Sequence, residues 1–177
     1  MIHLSDAELV EAGRTGSPVA LTEMLRRNQS YVRAFLRRLC DNVGDADDLA
    51  QETFLTAFAS LHGFRGDSTL RVWLCGIAFR KASTDRRGAA RRKAREAVAT
   101  DAQERLNDPR GVVERTLDVQ AAFKVLTPEQ RAAAALCLAS DMTHSEAAAA
   151  LSIPLGTLKS RVSSARKLLI QALEAYR

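Results

Sequence analysis

No stretch of this chain alternates apolar and polar side chains with period two over any useful length; its apolar residues recur every three or four positions instead. That is the repeat of a helix with one buried stripe. Leu21, Met24 and Leu25 keep the period, as do Val32, Phe35, Leu36 and Leu39. The pattern continues through Leu49, Thr53, Phe54, Ala57, Phe58 and Leu61, and again through Val72, Trp73, Ile77 and Ala78. Composition agrees. Hydrophobic residues make up 46% of the chain while aromatics are only 5%, and the abundant Ala, Leu and Arg favour helix over sheet. The expectation is an all-α fold with no sheet.

Punctuation divides the helices. Ser5-Asp6-Ala7-Glu8 and Thr143-His144-Ser145-Glu146 read as capping boxes, and Thr127-Pro128-Glu129-Gln130 offers an N-cap, a proline at the first helical position and a glutamine at the third. Cys40 to Gly44 is a stop, after which Asp45 opens a new amphipathic run. His62 to Thr69 holds two glycines and little periodicity, so it reads as a loop. Helix resumes from Leu70 to about Arg87. From Gly88 to Gly111 the apolar signal fades into charge, alanine and an Asn107-Asp108-Pro109 turn, the best candidate for a polar linker. Helix returns from Val112 to Leu126, and the last helix opens at Gly156-Thr157 and runs toward Tyr176. The chain length of 177 residues then divides into a domain at 1–87, a linker at 88–111 and a domain at 112–177.

Several classes are set aside at once. No stretch is long and apolar enough to span a membrane, and the N-terminus carries Asp6 and Glu8 rather than an apolar signal core. The reading is a cytoplasmic protein without membrane insertion. Cys40, Cys75 and Cys137 are far apart, and His3, His62 and His144 are scattered, so no metal site and no cofactor are expected. No glycine-rich phosphate loop or nucleophile–base pair marks an enzyme. Charge is more informative. The net +5 conceals −3 over residues 1–60, +8 over 61–95, −3 over 96–130 and +3 over 131–177. Basic blocks sorted in this way point to polyanion contacts.

The second basic block carries the most specific pattern. After the capped run from Thr143, Ser152-Ile153-Pro154 breaks the helix. A longer helix follows with Thr157, Lys159, Ser160, Arg161, Ser163, Ser164, Arg166 and Lys167 on its polar side. Leu155, Leu158, Val162, Ala165 and Leu169 form the opposite face. This is the plan of a helix-turn-helix whose second helix presents hydroxyls and cations to a major groove.

Leu126 to Arg131 and Ala147 to Leu169, above all Pro154-Leu155-Gly156-Thr157-Leu158-Lys159-Ser160-Arg161, closely resemble region 4 of sigma-70 family factors. Asp45-Ala46-Asp47-Asp48-Leu49-Ala50-Gln51-Glu52-Thr53-Phe54 resembles the polymerase-binding helix of region 2. Phe64 to Thr69, with Trp73-Leu74 and Ile77-Ala78, resembles the segment that recognises and melts the −10 element. The sequence carries no sign of the extra domains of housekeeping factors, which points the resemblance to the small, two-domain extracytoplasmic-function group.

The resemblance implies binding to RNA polymerase core through Asp45, Asp47, Asp48, Leu49, Gln51, Glu52 and Phe54. It implies −10 contacts, to double-stranded promoter DNA and to the melted single strand, from Phe64, Arg65, Asp67, Ser68, Thr69, Arg71, Arg80, Lys81, Arg86 and Arg87, with Trp73 expected in the core. The hydroxyls and cations from Thr157 to Lys167 would read the −35 element, and an anti-sigma factor would restrain the whole. Some positions depart from the family pattern. Arg80 stands where Asn is frequent, Asp85 falls one place late, Ser152 replaces a common turn glycine, and Ser163-Ser164 stand where bulky or basic residues are usual. The alternative is a two-domain helix-turn-helix regulator that never binds polymerase core; it would have no use for the Asp47–Glu52 edge or the Phe64–Trp73 segment.

Overall fold

The computed structural model describes residues 4–99, 122–140 and 142–174, with 92–99 described by backbone alone. Among these residues there are helices and no strand. They are α1 (Asp6–Arg14), α2 (Pro18–Leu39), α3 (Val43–Ala59), a 3-10 turn (Leu61–Gly63), α4 (Leu70–Ala99), α5 (Pro128–Cys137), α6 (His144–Leu151) and α7 (Leu155–Glu174).

The capping residues set the helix starts. The Ser5 hydroxyl accepts from Glu8 N–H and the Glu8 carboxylate accepts from Ser5 N–H at 2.7 Å. Thr127 with Gln130 and Thr143 with Glu146 repeat the same reciprocal pair. The Ser5 and Thr143 hydroxyls also donate to these carboxylates, each at 2.7 Å, and together with the backbone N–H bonds they hold the Glu8 and Glu146 carboxyls low. At α3 the cap is Asn42, whose Oδ1 accepts from Asp45 N–H at 2.7 Å. The helix therefore begins two residues ahead of the expected Asp45 start.

α4 runs through the segment expected to open the linker, from Gly88 as far as Ala99. The reason is propensity. Gly88 is followed by a run of Ala, Arg and Lys, good helix formers that extend an existing helix without an apolar stripe. The rest of the expected linker and the helix start at Val112 lie outside the described residues.

α2, α3 and α4 bury Val32, Phe35 and Leu36 against Phe54, Ala57, Leu74, Cys75 and Ala78, with Leu9 and Val10 of α1 closing one side. α5, α6 and α7 form a second unit around Leu136, Leu151, Leu158, Val162 and Ala165. The two units share one continuous core, because α5 packs on α2 and α6 packs on α4. The approach is close: a Cβ on Gly76 would lie 3.1 Å from the Ala150 carbonyl oxygen. Polar ties surround it. Tyr31 donates its hydroxyl to Ser140 O at 2.6 Å, and Arg131 reaches Leu39 O at 3.3 Å and Asp41 at 3.2 Å. The three cysteines are unpaired. Burial pushes Cys75 up to about 12 and Cys40 up to about 11, so both remain neutral thiols near pH 7.

The turn between α6 and α7 is left-handed at Ser152, the residue that replaces a common turn glycine: it has φ 53° and ψ 46°. Ile153 N–H bonds Ala148 O and Ser152 N–H bonds Ala149 O, each at 3.1 Å, a Schellman closure that demands this conformation. Ser152→Gly should therefore raise stability by about 0.5–1 kcal/mol, the left-handed penalty less the entropy glycine adds to the unfolded chain. A thermal melt checks this: the midpoint should rise by roughly 1–4 °C, and a fall would contradict the assignment of strain.

Candidate nucleic-acid interface

α7 sorts its side chains by burial. Leu158, Val162 and Ala165 are buried, while Thr157, Lys159, Ser160, Ser163, Ser164, Arg166 and Lys167 are exposed and Arg161 is half-buried. At 100° per residue, Ser160, Ser163, Ser164 and Lys167 occupy the centre of the exposed face. Lys159 and Arg166 lie along one flank, Thr157 and Arg161 along the other. A helix with serines over the middle of its first turns, Lys167 beyond them and cations on both edges matches a groove floor between two phosphate walls. Leu155 departs from the expected apolar face: at 39% exposure it opens the helix without joining the core.

The acidic helix α3 holds its carboxylates in three settings. Asp45 accepts from the Asn42 side-chain amide at 2.6 Å and so completes the cap. Asp47 lies 3.7 Å from Arg33 and 3.5 Å from Arg37, both of α2. Glu52 pairs with Lys81 of α4 at 3.2 Å. Asp48 and Gln51 are exposed, and no ion pair forms at Asp48 among the described residues. The two apolar members of the expected site are placed differently: Leu49 and Phe54 are buried, at 8% and 5% exposure, and support the helix from inside. The apolar side chain that this surface does offer is Leu55, 70% exposed. Sequence reading passed over it because α3 is apolar on much of its circumference.

Between α3 and α4 lies an open groove of about 650 Å³, lined by Glu52, Thr56 and Gly63 on one side and by Trp73, Ile77, Arg80, Lys81 and Thr84 on the other. Trp73, expected in the core, is half-buried. It packs on Phe64, ring centroids 5.2 Å apart, and keeps an edge on the groove. Arg65 and Asp67 are exposed at the tip of the preceding loop, Ser68 is half-buried, and the Thr69 hydroxyl accepts from Val72 N–H to start α4. Arg80 and Arg87 are exposed. Two other expected DNA cations have neighbours in the packed state: Arg86 lies 3.3 Å from Glu129 of α5, and Arg71 stacks over the Tyr31 ring at 4.4 Å. Arg71 also helps to hold the Glu146 carboxyl of α6 low.

An all-helical chain that presents a cation-flanked recognition helix behind a tight turn is a helix-turn-helix DNA-binding protein. Residues 24–92 match Sigma-70 region 2, and residues 116–169 match Sigma-70, region 4. The chain is 33% identical to the ECF RNA polymerase sigma factor SigC of Mycobacterium tuberculosis (strain CDC 1551 / Oshkosh), a likeness covering 96% of this chain and 94% of that protein. It is 35% identical to the ECF RNA polymerase sigma factor EcfG of Rhodopseudomonas palustris (strain TIE-1) over 76% of this chain and 75% of that one. Among solved structures it is similar to the sigma factor RpoE in complex with the anti-sigma factor NepR from Bartonella quintana. That match has a TM-score of 0.72 and 29% identity, and it covers 88% of this chain and 98% of the other. CnrH in complex with the cytosolic domain of CnrY also gives a TM-score of 0.72, at 25% identity, covering 96% and 97% of the two chains. The chain belongs to the extracytoplasmic-function sigma factors of the sigma-70 family.

Proposed function

We propose that this chain binds RNA polymerase core through α3 and directs it to promoters. In this reading α7 reads the −35 element, while the Phe64–Thr69 loop with the α3–α4 groove captures the melted −10 strand. The carrying observation is that one chain holds both devices: a recognition helix with cations on both flanks, and a separate acid-edged bundle with an open groove. A plain helix-turn-helix regulator uses the first and has no role for the second. Asp48, Gln51 and Leu55 form the exposed centre of the polymerase surface, with Asp47 and Glu52 at its edges. Arg65, Arg80, Lys81 and Arg87 supply charge along the strand path, and the groove offers room for an unstacked base beside Trp73. A division into two domains joined beyond α4, a cytoplasmic location and the absence of catalysis belong to the same reading.

The packed arrangement adds a requirement. The −35 and −10 elements lie roughly 25 base pairs apart, about 85 Å at 3.4 Å per pair. A compact chain of this length has a radius of gyration of about 16 Å. The contacts of Gly76 with Ala150, Arg131 with Asp41 and Arg86 with Glu129 must therefore part before both elements are read together. A restraining partner would act by holding the domains or by covering their surfaces, and the relative solved with NepR supports an anti-sigma factor in that role. Affinity purification of the tagged chain from unstressed cells tests this reading. The expected product is a small stoichiometric partner whose binding excludes core polymerase. Core polymerase alone would contradict the restraint, and recovery of neither would contradict the function.

A further inference from the structure

Among the described residues, the contacts that hold the loop from Phe64 to Thr69 lie toward its ends. Thr69 caps α4, its hydroxyl accepting from Val72 N–H at 3.3 Å, and Phe64 packs on Trp73. Between them Arg65, Gly66 and Asp67 are exposed, and Gly66 has φ +78°, where a side chain would be strained. A tip without packing of its own takes its place from its stem.

The stem is fastened from a distant part of the chain. Arg14, the last residue of α1, donates through Nε to Leu61 O at 3.4 Å and through Nη2 to Phe64 O. One guanidinium thus spans both carbonyls of the turn that leads into the loop. Leu61 O already accepts Phe64 N–H at 3.1 Å, so the arginine takes its remaining lone pair. The guanidinium is itself fixed by Glu11, 3.0 Å from Nη1. Next to it, a Cβ on Gly13 would come within 2.7 Å of Leu61 Cδ2, so α1 meets the turn as closely as a glycine allows. Bonds from a charged donor to a carbonyl are stronger than neutral ones, and a planar fork fixes orientation as well as distance. α1 precedes residues 24–92, the stretch matched to Sigma-70 region 2, so that likeness gives Arg14 no role.

We propose that Arg14 is a positioning residue for strand capture: without touching DNA, it sets the place of the loop that does. The proposal rests on the reading that this loop takes the melted −10 strand. The test uses holoenzyme reconstituted with the native chain, Arg14→Gln, Arg14→Lys or Arg65→Ala. The probe is a forked duplex whose single-stranded arm copies the non-template −10 strand of a promoter the native holoenzyme selects. Affinity for core polymerase and for a −35 duplex is measured alongside.

Arg14→Gln should reduce fork affinity about tenfold, the order expected when the charged donor that fixes a binding element is lost. Arg14→Lys should recover only part, because a point charge cannot span both carbonyls. Core and −35 affinities should stay within about twofold. If Arg65→Ala weakens the fork and Arg14→Gln does not, the loop reading stands and the brace is overturned. If neither weakens it, the loop reading falls and the proposal with it. An equal drop in core affinity, or full recovery by Arg14→Lys, would also overturn it, the first by showing a purely structural role and the second by showing that charge alone suffices.

Discussion

Lys159→Ala, Arg161→Ala and Arg166→Ala together should abolish the −35 footprint of the reconstituted holoenzyme, with −35 duplex affinity down on the order of 100-fold at moderate salt. The three cations lie on both flanks of α7, the sides that meet the phosphate walls when Ser160, Ser163 and Ser164 face the groove floor. Neutralising each cation that meets a phosphate should flatten the salt dependence by about one counterion. The weakening should be similar on all sequences, since flanking cations position the helix without reading bases. Ser163→Ala should behave differently, changing preference at one position while leaving the salt slope intact. Lys159 and Arg166 are exposed, so folding should change little on their removal. A −35 footprint that survives the triple change would show that another surface carries recognition.

The second large effect concerns α3. Asp48→Lys with Glu52→Lys should weaken core-polymerase binding by roughly 10- to 100-fold, about 1 kcal/mol or somewhat more for each reversed charge. Asp47 is a poorer target for reversal: a lysine there would face two cations, Arg33 and Arg37, where one at position 52 would face Lys81 alone, so it would disturb the fold more. Asp47→Asn separates the two effects. Leu55→Ala should weaken binding further because it removes the exposed apolar side chain of that face. Leu49→Ala and Phe54→Ala should act through stability instead, since both side chains are buried. Titration of fluorescently labelled chain with core polymerase measures all of these. Unchanged affinity in the Asp48/Glu52 variant would remove α3 from the polymerase interface.

What the sequence made legible, and what it hid, follows from the range of each interaction. The helix starts at Ser5, Thr127 and Thr143 could be read because cap and partner are three residues apart. The faces of α7 could be read because Leu158, Val162 and Ala165 mark the buried side at helical spacing. The choice among Leu49, Phe54 and Leu55 could not, because only the packing of α2 and α4 decides which side of α3 stays open. The close packing of the two units was equally hidden. It depends on Gly76 meeting Ala150 and on Arg131 meeting Asp41, partners 90 residues apart in the second case. Arg14 gave no signal because its acceptors are backbone carbonyls, which every sequence possesses. The left-handed turn at Ser152 was not marked in the sequence because the glycine that usually signals it is absent.

Promoter direction by this chain is tested most directly by in-vitro transcription. Core polymerase of the same bacterium is mixed with the purified chain and a genomic fragment library, and transcript starts are mapped. The expected result is a set of starts absent with core alone, sharing one upstream element near −35 and another near −10, and abolished in the Lys159/Arg161/Arg166 and Asp48/Glu52 variants. Starts unchanged by adding the chain, or starts that persist in both variants, would contradict the account.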